Sequence, residues 1–147
     1  MKFNEIPFIR DHIALYKTDP EKAHMWDSEP GGGPGLVPTL LLTTRGCKSG
    51  AARDAALIYG AAGDGYAIIA SRGGTPTHPS WFLNLEANPE CDVVVADKAF
   101  RARARVAEAE ERERIWREMA ELYPPYDEYQ ARAGTRVIPV VVLDPIA

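Results

Sequence analysis

The chain has 147 residues, 46% of them hydrophobic, enough for one domain with an ordinary buried core. Seventeen Lys and Arg against twenty-one Asp and Glu leave a net charge of −4, which excludes an overall field suited to nucleic acid or anionic lipid and confines any anion site to local clusters. Cys47 and Cys91 form no CxxC and meet no histidine cluster, and no apolar run nears the roughly 20 residues of a spanning helix, so the expectation is a soluble cytoplasmic protein without metal or signal peptide.

Ile6, Ile9, Ile13 and Tyr16 recur at helical spacing, with Asn4 as N-cap and Pro7 in the first turn, and predict a short amphipathic helix within a helical segment 1–29. Pro30-Gly31-Gly32-Gly33-Pro34-Gly35 breaks all periodicity and reads as a loop or flexible crossing, 30–36, before a core running from 37 to 147. Val37 to Thr44 is apolar and β-branched, a buried strand. Ala55 to Tyr59 and Tyr66 to Ser71 flank the glycines of 61–65 and read as a hairpin, antiparallel with it.

Pro79 suits the first position of a helix capped by His78 or Thr77 and ended by Asn88-Pro89, with Trp81 and Leu85 inward. Asp92 to Ala96 and Ala99 to Val106 form a second hairpin, whose Arg101, Arg103 and Arg105 share one face. Ile115, Met119 and Leu122 mark the apolar side of a helix over 108–122, which Pro124-Pro125 must end. A helical turn with Tyr126 and Tyr129 follows, then a strand from Val137 to Leu143 whose Pro139 suggests an edge or a bulge. About six antiparallel strands, one helix between strands and flanking helices make an α+β barrel-like fold. A βαβ nucleotide fold is excluded, and the Gly-rich turns are not a dinucleotide fingerprint.

Two segments carry chemistry. Lys48, Ser49, Gly50 and Arg53 put two cations, a hydroxyl and a close-approach glycine within six positions, enough to grip one phosphate, although a solvated hairpin turn has the same composition. Ser71-Arg72-Gly73-Gly74 can offer N–H groups and a hydroxyl to the polar edge of a flat ring, with Trp81 and Asn84 completing the pocket; taken alone, the loop reads more readily as a glycine loop before an ordinary core Trp. Tyr123, Tyr126 and Tyr129 recur every three residues around the double proline, as a substrate-facing corner or as packing. The arginine stripe reads as a solvated face more readily than an anion site. His12, His24 and His78 are scattered, giving neither a metal triad nor a base for Ser71, and a nucleophilic Cys47 lacks a partner.

Taken in order, Thr43-Thr44-x-Gly46-x-Lys48-Ser49-Gly50-x-x-Arg53, Ala70-Ser71-x-Gly73-Gly74, Pro79-x-Trp81-x-x-Asn84-Leu85-x-Ala87-Asn88-Pro89, the tyrosine triplet and Ile138-Pro139-Val140-Val141-Val142 resemble the deazaflavin-dependent nitroreductases, split-barrel oxidoreductases that use coenzyme F420. The resemblance implies that Lys48, Ser49, Gly50 and Arg53 hold the phosphate end. By the same likeness Ser71, Arg72, Gly73, Gly74, Pro79, Trp81 and Asn84 surround the deazaflavin. Tyr123, Tyr126 and Tyr129 would bind substrate, with Tyr126 or Ser71 stabilising the reduced product. The chain departs from the family at Cys47, where a second basic residue is usual, at Asp54-Ala55-Ala56, and at Phe82, where Tyr is common. The implied activity is F420H2-dependent hydride transfer to a small quinone, enone or nitroaromatic by a monomer or homodimer, with peripheral membrane contact left open. A flavin mononucleotide (FMN) enzyme on a similar barrel and a non-catalytic carrier of a redox cofactor or lipid remain as alternatives.

Overall fold

The computed structural model describes residues 7–146. Its helices are α1 (Pro7–Thr18), α2 (Pro20–Ala23), α3 (Ser80–Ala87), α4 (Ala109–Leu122) and α5 (Pro125–Arg132). Its strands are β1 (Met25–Asp27), β2 (Leu36–Arg45), β3 (Ala52–Ile58), β4 (Gly60–Ala62), β5 (Gly65–Ile69), β6 (Glu90–Val95), β7 (Lys98–Val106) and β8 (Val140–Pro145). Among the described residues they form one curled antiparallel sheet of eight strands, ordered β1-β2-β6-β7-β8-β5-β4, with β3 also paired to β2. This is the α+β split-barrel architecture.

The alternation of side chains along a strand sorts the sheet into two apolar layers. Leu40, Leu42, Ile68, Val93, Val141 and Leu143 point into the curl and pack on Trp81, Phe82 and Leu85 of α3. Ala67, Ile69, Val140 and Val142 point outward, and there meet Ile115 and Met119 of α4 and Tyr126 of α5. Because β5 and β8 are covered on both faces, they read as continuous apolar runs; truncating Leu42 or Leu143 to Ala would cost about 2–5 kcal/mol. Tyr16 of α1 closes a third cluster on Leu41, its hydroxyl donating to Thr39 O at 2.6 Å.

Several expectations are corrected. Asn4 and Ile6 lie outside the described residues, while α1 stands where the periodicity puts it. The stretch before the glycine run is not wholly helical, because Met25–Asp27 pairs with Leu36–Pro38 as β1. The glycine run is therefore a hairpin loop and not a flexible crossing. Ser28 closes it, its N–H and Oγ both donating to Gly35 O at 2.8 and 2.6 Å.

Ala55–Tyr59 does not form a hairpin with the strand after Gly65. Register pairs β3 with β2 from Thr39↔Ile58 to Arg45↔Ala52, and the short β4 pairs with β5 instead. Pro139 marks no edge, since β8 lies between β7 and β5, and the proline precedes the strand where its missing N–H is harmless. Neither Thr77 nor His78 caps α3, whose N-cap is Pro79. The Arg101, Arg103 and Arg105 stripe faces acidic neighbours: Asp92, Glu90, and Glu111 with Asp144. It is an ion-paired strand face.

Candidate active site

A cavity of about 780 Å³ opens between the Ala55–Ile58 stretch of β3, the 71–81 loop and helix start, the tyrosine corner and the N-terminal elements. Its size falls in the range of small-molecule and cofactor sites. Of the residues singled out in the sequence, Arg53, Ser71, Arg72, Gly73, Pro79, Trp81, Tyr123, Tyr126 and Tyr129 line it. Lys48, Ser49, Gly50, Gly74 and Asn84 are not among its lining residues.

The hairpin after β2 is built tightly. Gly46 N–H donates to Ala51 O at 2.7 Å and Gly50 N–H to Gly46 O at 2.8 Å, with Gly50 at φ +72, a conformation that favours glycine. Ser49 Oγ accepts from Ala51 N–H, which leaves the Lys48 and Arg53 side chains as the exposed cations of the turn. Asn84 is spent on architecture. From α3 it accepts the Cys47 N–H at 3.0 Å in a half-buried bond and donates to Thr44 Oγ1 at 3.0 Å in a buried one, so it clips the cationic turn to the helix.

The 71–78 loop reaches the cavity through unusual backbone. Arg72 has φ +46 and Gly73 φ +64, and a side chain on Gly74 would meet the Tyr129 backbone, its oxygen at 2.5 Å, so the loop lies directly against α5. A positive φ at a non-glycine residue such as Arg72 carries strain of the kind that gathers at ligand sites. The first turn of α3 starts at the same wall, where unpaired backbone N–H groups favour an acceptor or anion.

The tyrosines divide into two roles. Tyr123 and Tyr129 hydroxyls lie 2.9 Å apart, and Tyr123 donates to Gly31 O at 3.0 Å, tying α5 to the glycine hairpin. A Cβ on Gly31 would meet Tyr123 Oη at 2.6 Å, which explains a glycine there. Burial, and then the bond to Tyr129, pushes the Tyr123 phenol well above its ordinary value. Tyr126 is buried and edge-on to both neighbours, 4.9 Å and 6.2 Å between ring centroids. Burial holds its phenol protonated far above the ordinary range. Its hydroxyl makes no hydrogen bond among the described residues, and Tyr126 is one of the residues that line the cavity.

Residues without a motif complete the walls. His12 stacks on Trp26, centroids 5.7 Å apart and planes at 8°, as a roof from α1 and β1. Burial lowers the His12 imidazole below its ordinary value against the opposing bond to Ala23 O. Asp54 lies beside Arg53 and pairs with Lys17; burial pushes its carboxyl up, but the bonds from Lys17 and Thr43 outweigh this and leave it below the usual range. Two signals in the sequence could have found the roof: the lone Trp26 before the glycine run, and His12 on the inward face of the first helix.

A mostly apolar cavity whose lining brings together a cation at Arg53, the bent Ser71–Gly73 loop and the phenols of Tyr123, Tyr126 and Tyr129 suits a flat ring with an anionic tail. The family described as F420H(2)-dependent quinone reductase matches residues 11–145. The chain belongs to this family. An F420H(2)-dependent quinone reductase of Mycobacterium tuberculosis is 41% identical over 142 residues, covering 94% of this chain and 90% of that one. The solved structure of the F420-H2 dependent reductase FDR-A is 44% identical with a TM-score of 0.67, over 73% of this chain and 94% of that one. A structure described as a domain-swapped dimer matches with the same identity and TM-score, over 73% and 80%. The heme storage protein HutZ of Vibrio cholerae shares the fold alone, at 18% identity and TM-score 0.56, over 74% of this chain and 82% of that one. Family membership makes the chain an F420-dependent oxidoreductase with reduced F420 as its cofactor.

Proposed function

We propose that the chain reduces a quinone, or an enone or nitroaromatic of like electron demand, with a hydride from reduced F420 inside the cavity. The reduced deazaflavin ring, when bound, supplies that hydride as a two-electron donor. Arg53, with Lys48, Ser49 and Gly50 on the adjoining turn, holds the phosphate end by charge-assisted hydrogen bonds. Asn84 acts indirectly, by fixing that turn. Ser71, Arg72 and Gly73, with Pro79 and Trp81, form the wall against the ring, Gly74 seats that loop on α5, and Tyr123 and Tyr129 shape the substrate end.

Tyr126 is the residue that carries the reading. A buried phenol whose hydroxyl has no partner among the described residues, on a side chain that lines the cavity, is a donor held ready for an oxygen that gains negative charge, and Ser71 can offer a second from the 71–78 loop. The apolar walls exclude water, so each donor counts for more than in bulk solvent. The FMN alternative is not favoured, and a homodimer is the assembly to test, the relative with a domain swap being the reason.

The test is oxidation of F420H2 followed by fluorescence with menadione as acceptor, beside a titration with FMN. Menadione-dependent turnover with no FMN binding supports the reading. F420 binding without turnover of any quinone, enone or nitroaromatic sinks the substrate class.

A further inference from the structure

His78 lines the cavity half-buried, between the Ser71–Gly73 loop and the first turn of α3, and the roles above leave it unused. Its Nδ1 lies 3.0 Å from Arg136 Nη1. A guanidinium offers hydrogens and no lone pair, so Nδ1 is the acceptor and the neutral ring carries its hydrogen on Nε2. Nε2 is on the far side of the ring from Arg136 and meets no hydrogen-bond partner among the described residues. The imidazole also rests on Phe82, with ring centroids 4.9 Å apart.

Arg136 is itself fixed in place. Its Nε donates to Thr75 O at 2.9 Å, Nη1 to Ala70 O at 3.1 Å and Nη2 to Ser71 O at 2.6 Å, so one side chain gathers three carbonyls of the cavity loop as well as His78. Gln130 of α5 anchors the segment that carries it, donating to Arg136 O at 2.8 Å and accepting the Ile138 N–H at 2.9 Å. No exposed cation satisfied by solvent has this set of partners.

We propose that Arg136 is a positioning residue that fixes His78 as an Nε2–H donor directed into the cavity, where it binds a ring carbonyl oxygen of the deazaflavin. This rests on the F420 reading above. The ring is the target because His78 adjoins Pro79 and shares the cavity lining with Ser71, Gly73 and Trp81, the residues assigned above to the ring wall. A donor locked in one tautomer recognises an acceptor oxygen and rejects a donor at the same place.

Two measurements test it. Long-range nitrogen–proton correlation on histidine-labelled, ligand-free protein should show His78 in the Nε2–H form, and Arg136→Met should give a mixture. Fluorescence titrations with F420 and with a phosphate-free deazaflavin riboside should show His78→Asn and His78→Phe binding both about tenfold more weakly, while His78→Gln, whose amide N–H reaches the Nε2 position, stays within about threefold of wild type. Should Arg136→Met lose the native circular dichroism, the Gln against Asn contrast carries the test. The proposal is overturned by an Nδ1–H ring in the wild type, by an unchanged tautomer in folded Arg136→Met, by equal affinity in His78→Phe, or by a loss confined to F420, which would assign the contact to phosphate. Wild-type protein that binds neither probe overturns the cofactor reading and this one together. Tight wild-type binding with an indifferent His78 overturns this one alone.

Discussion

Lys17 Nζ lies 2.5 Å from Asp54 Oδ2, joining α1 to the β3 floor of the cavity beside Arg53. The helix that covers the cavity supplies the counter-ion of this carboxylate. Lys17 is more than half exposed, so solvent screening limits the pair to about 1 kcal/mol or less of stability, and Lys17→Met should lose no more than that. Asp54 has a lowered carboxyl pKa when folded, so its contribution is present above its ordinary value near 3.8 and disappears as pH falls through the lower folded value. Thermal melts of Asp54→Asn and wild type should accordingly differ at pH 6 and converge in strong acid. A gap that widens on acidification would reverse the assigned sign.

The cationic mouth gives a second expectation. Arg53 lines the cavity and Lys48 stands at the exposed tip of the adjoining hairpin, so the double variant Lys48→Ala with Arg53→Ala should weaken F420 binding by about 2–4 kcal/mol, most of it from Arg53. The fold should survive, because exposed turn positions contribute little stability. Unchanged affinity by fluorescence titration would move the phosphate site elsewhere.

Asn84 should behave in the opposite manner. Asn84→Leu removes the acceptor of Cys47 N–H and the donor to Thr44 Oγ1 in a buried site, a loss of about 2–4 kcal/mol by chemical denaturation. F420 affinity should fall too, through the freed turn, and the phosphate-free riboside should be affected less than F420. Equal losses for both probes would mean that Asn84 touches the ring.

How much of this was legible in the sequence follows from the range of the interactions involved. The β6–β7 hairpin and α4 announce themselves through alternation and helical spacing, because both are decided by neighbours in the chain. β1 is only Met25–Asp27, too short to display a period, and its pairing across the glycine run is fixed by Ser28. The central place of β8 is decided by β5 and β7, tens of residues away, which no local pattern records. Among site residues the glycine- and cation-rich motifs marked the mouth and the loop. Arg136 gave no such signal: a single cation ahead of Ile138-Pro139 resembles any surface residue, and only the folded chain brings Ala70, Ser71, Thr75 and His78 around it.

Tyr123 and Tyr126 adjoin at 4.9 Å between ring centroids, yet their hydroxyls have opposite duties, and removing each should separate stability from turnover. Tyr123→Phe breaks the bonds to Gly31 O and Tyr129 Oη, so it should destabilise the fold by about 1–2 kcal/mol and loosen the glycine hairpin. Tyr126→Phe breaks no hydrogen bond within the described residues, and the ring that remains still fills its place among Tyr123, Tyr129 and Trp116. Its melting temperature should therefore stay close to that of wild type, and F420 affinity should barely move. What it removes is a protonated donor at the cavity wall, held by α5 behind Pro124-Pro125, and the loss of one well-placed hydrogen bond in a transition state corresponds to a fall of about tenfold or more in F420H2-dependent menadione reduction. Stopped-flow oxidation of bound F420H2 separates that step from product release. If Tyr126→Phe keeps full single-turnover rate, the phenol is a packing residue, and the hydrogen bond to the reduced product comes from Ser71 or from water.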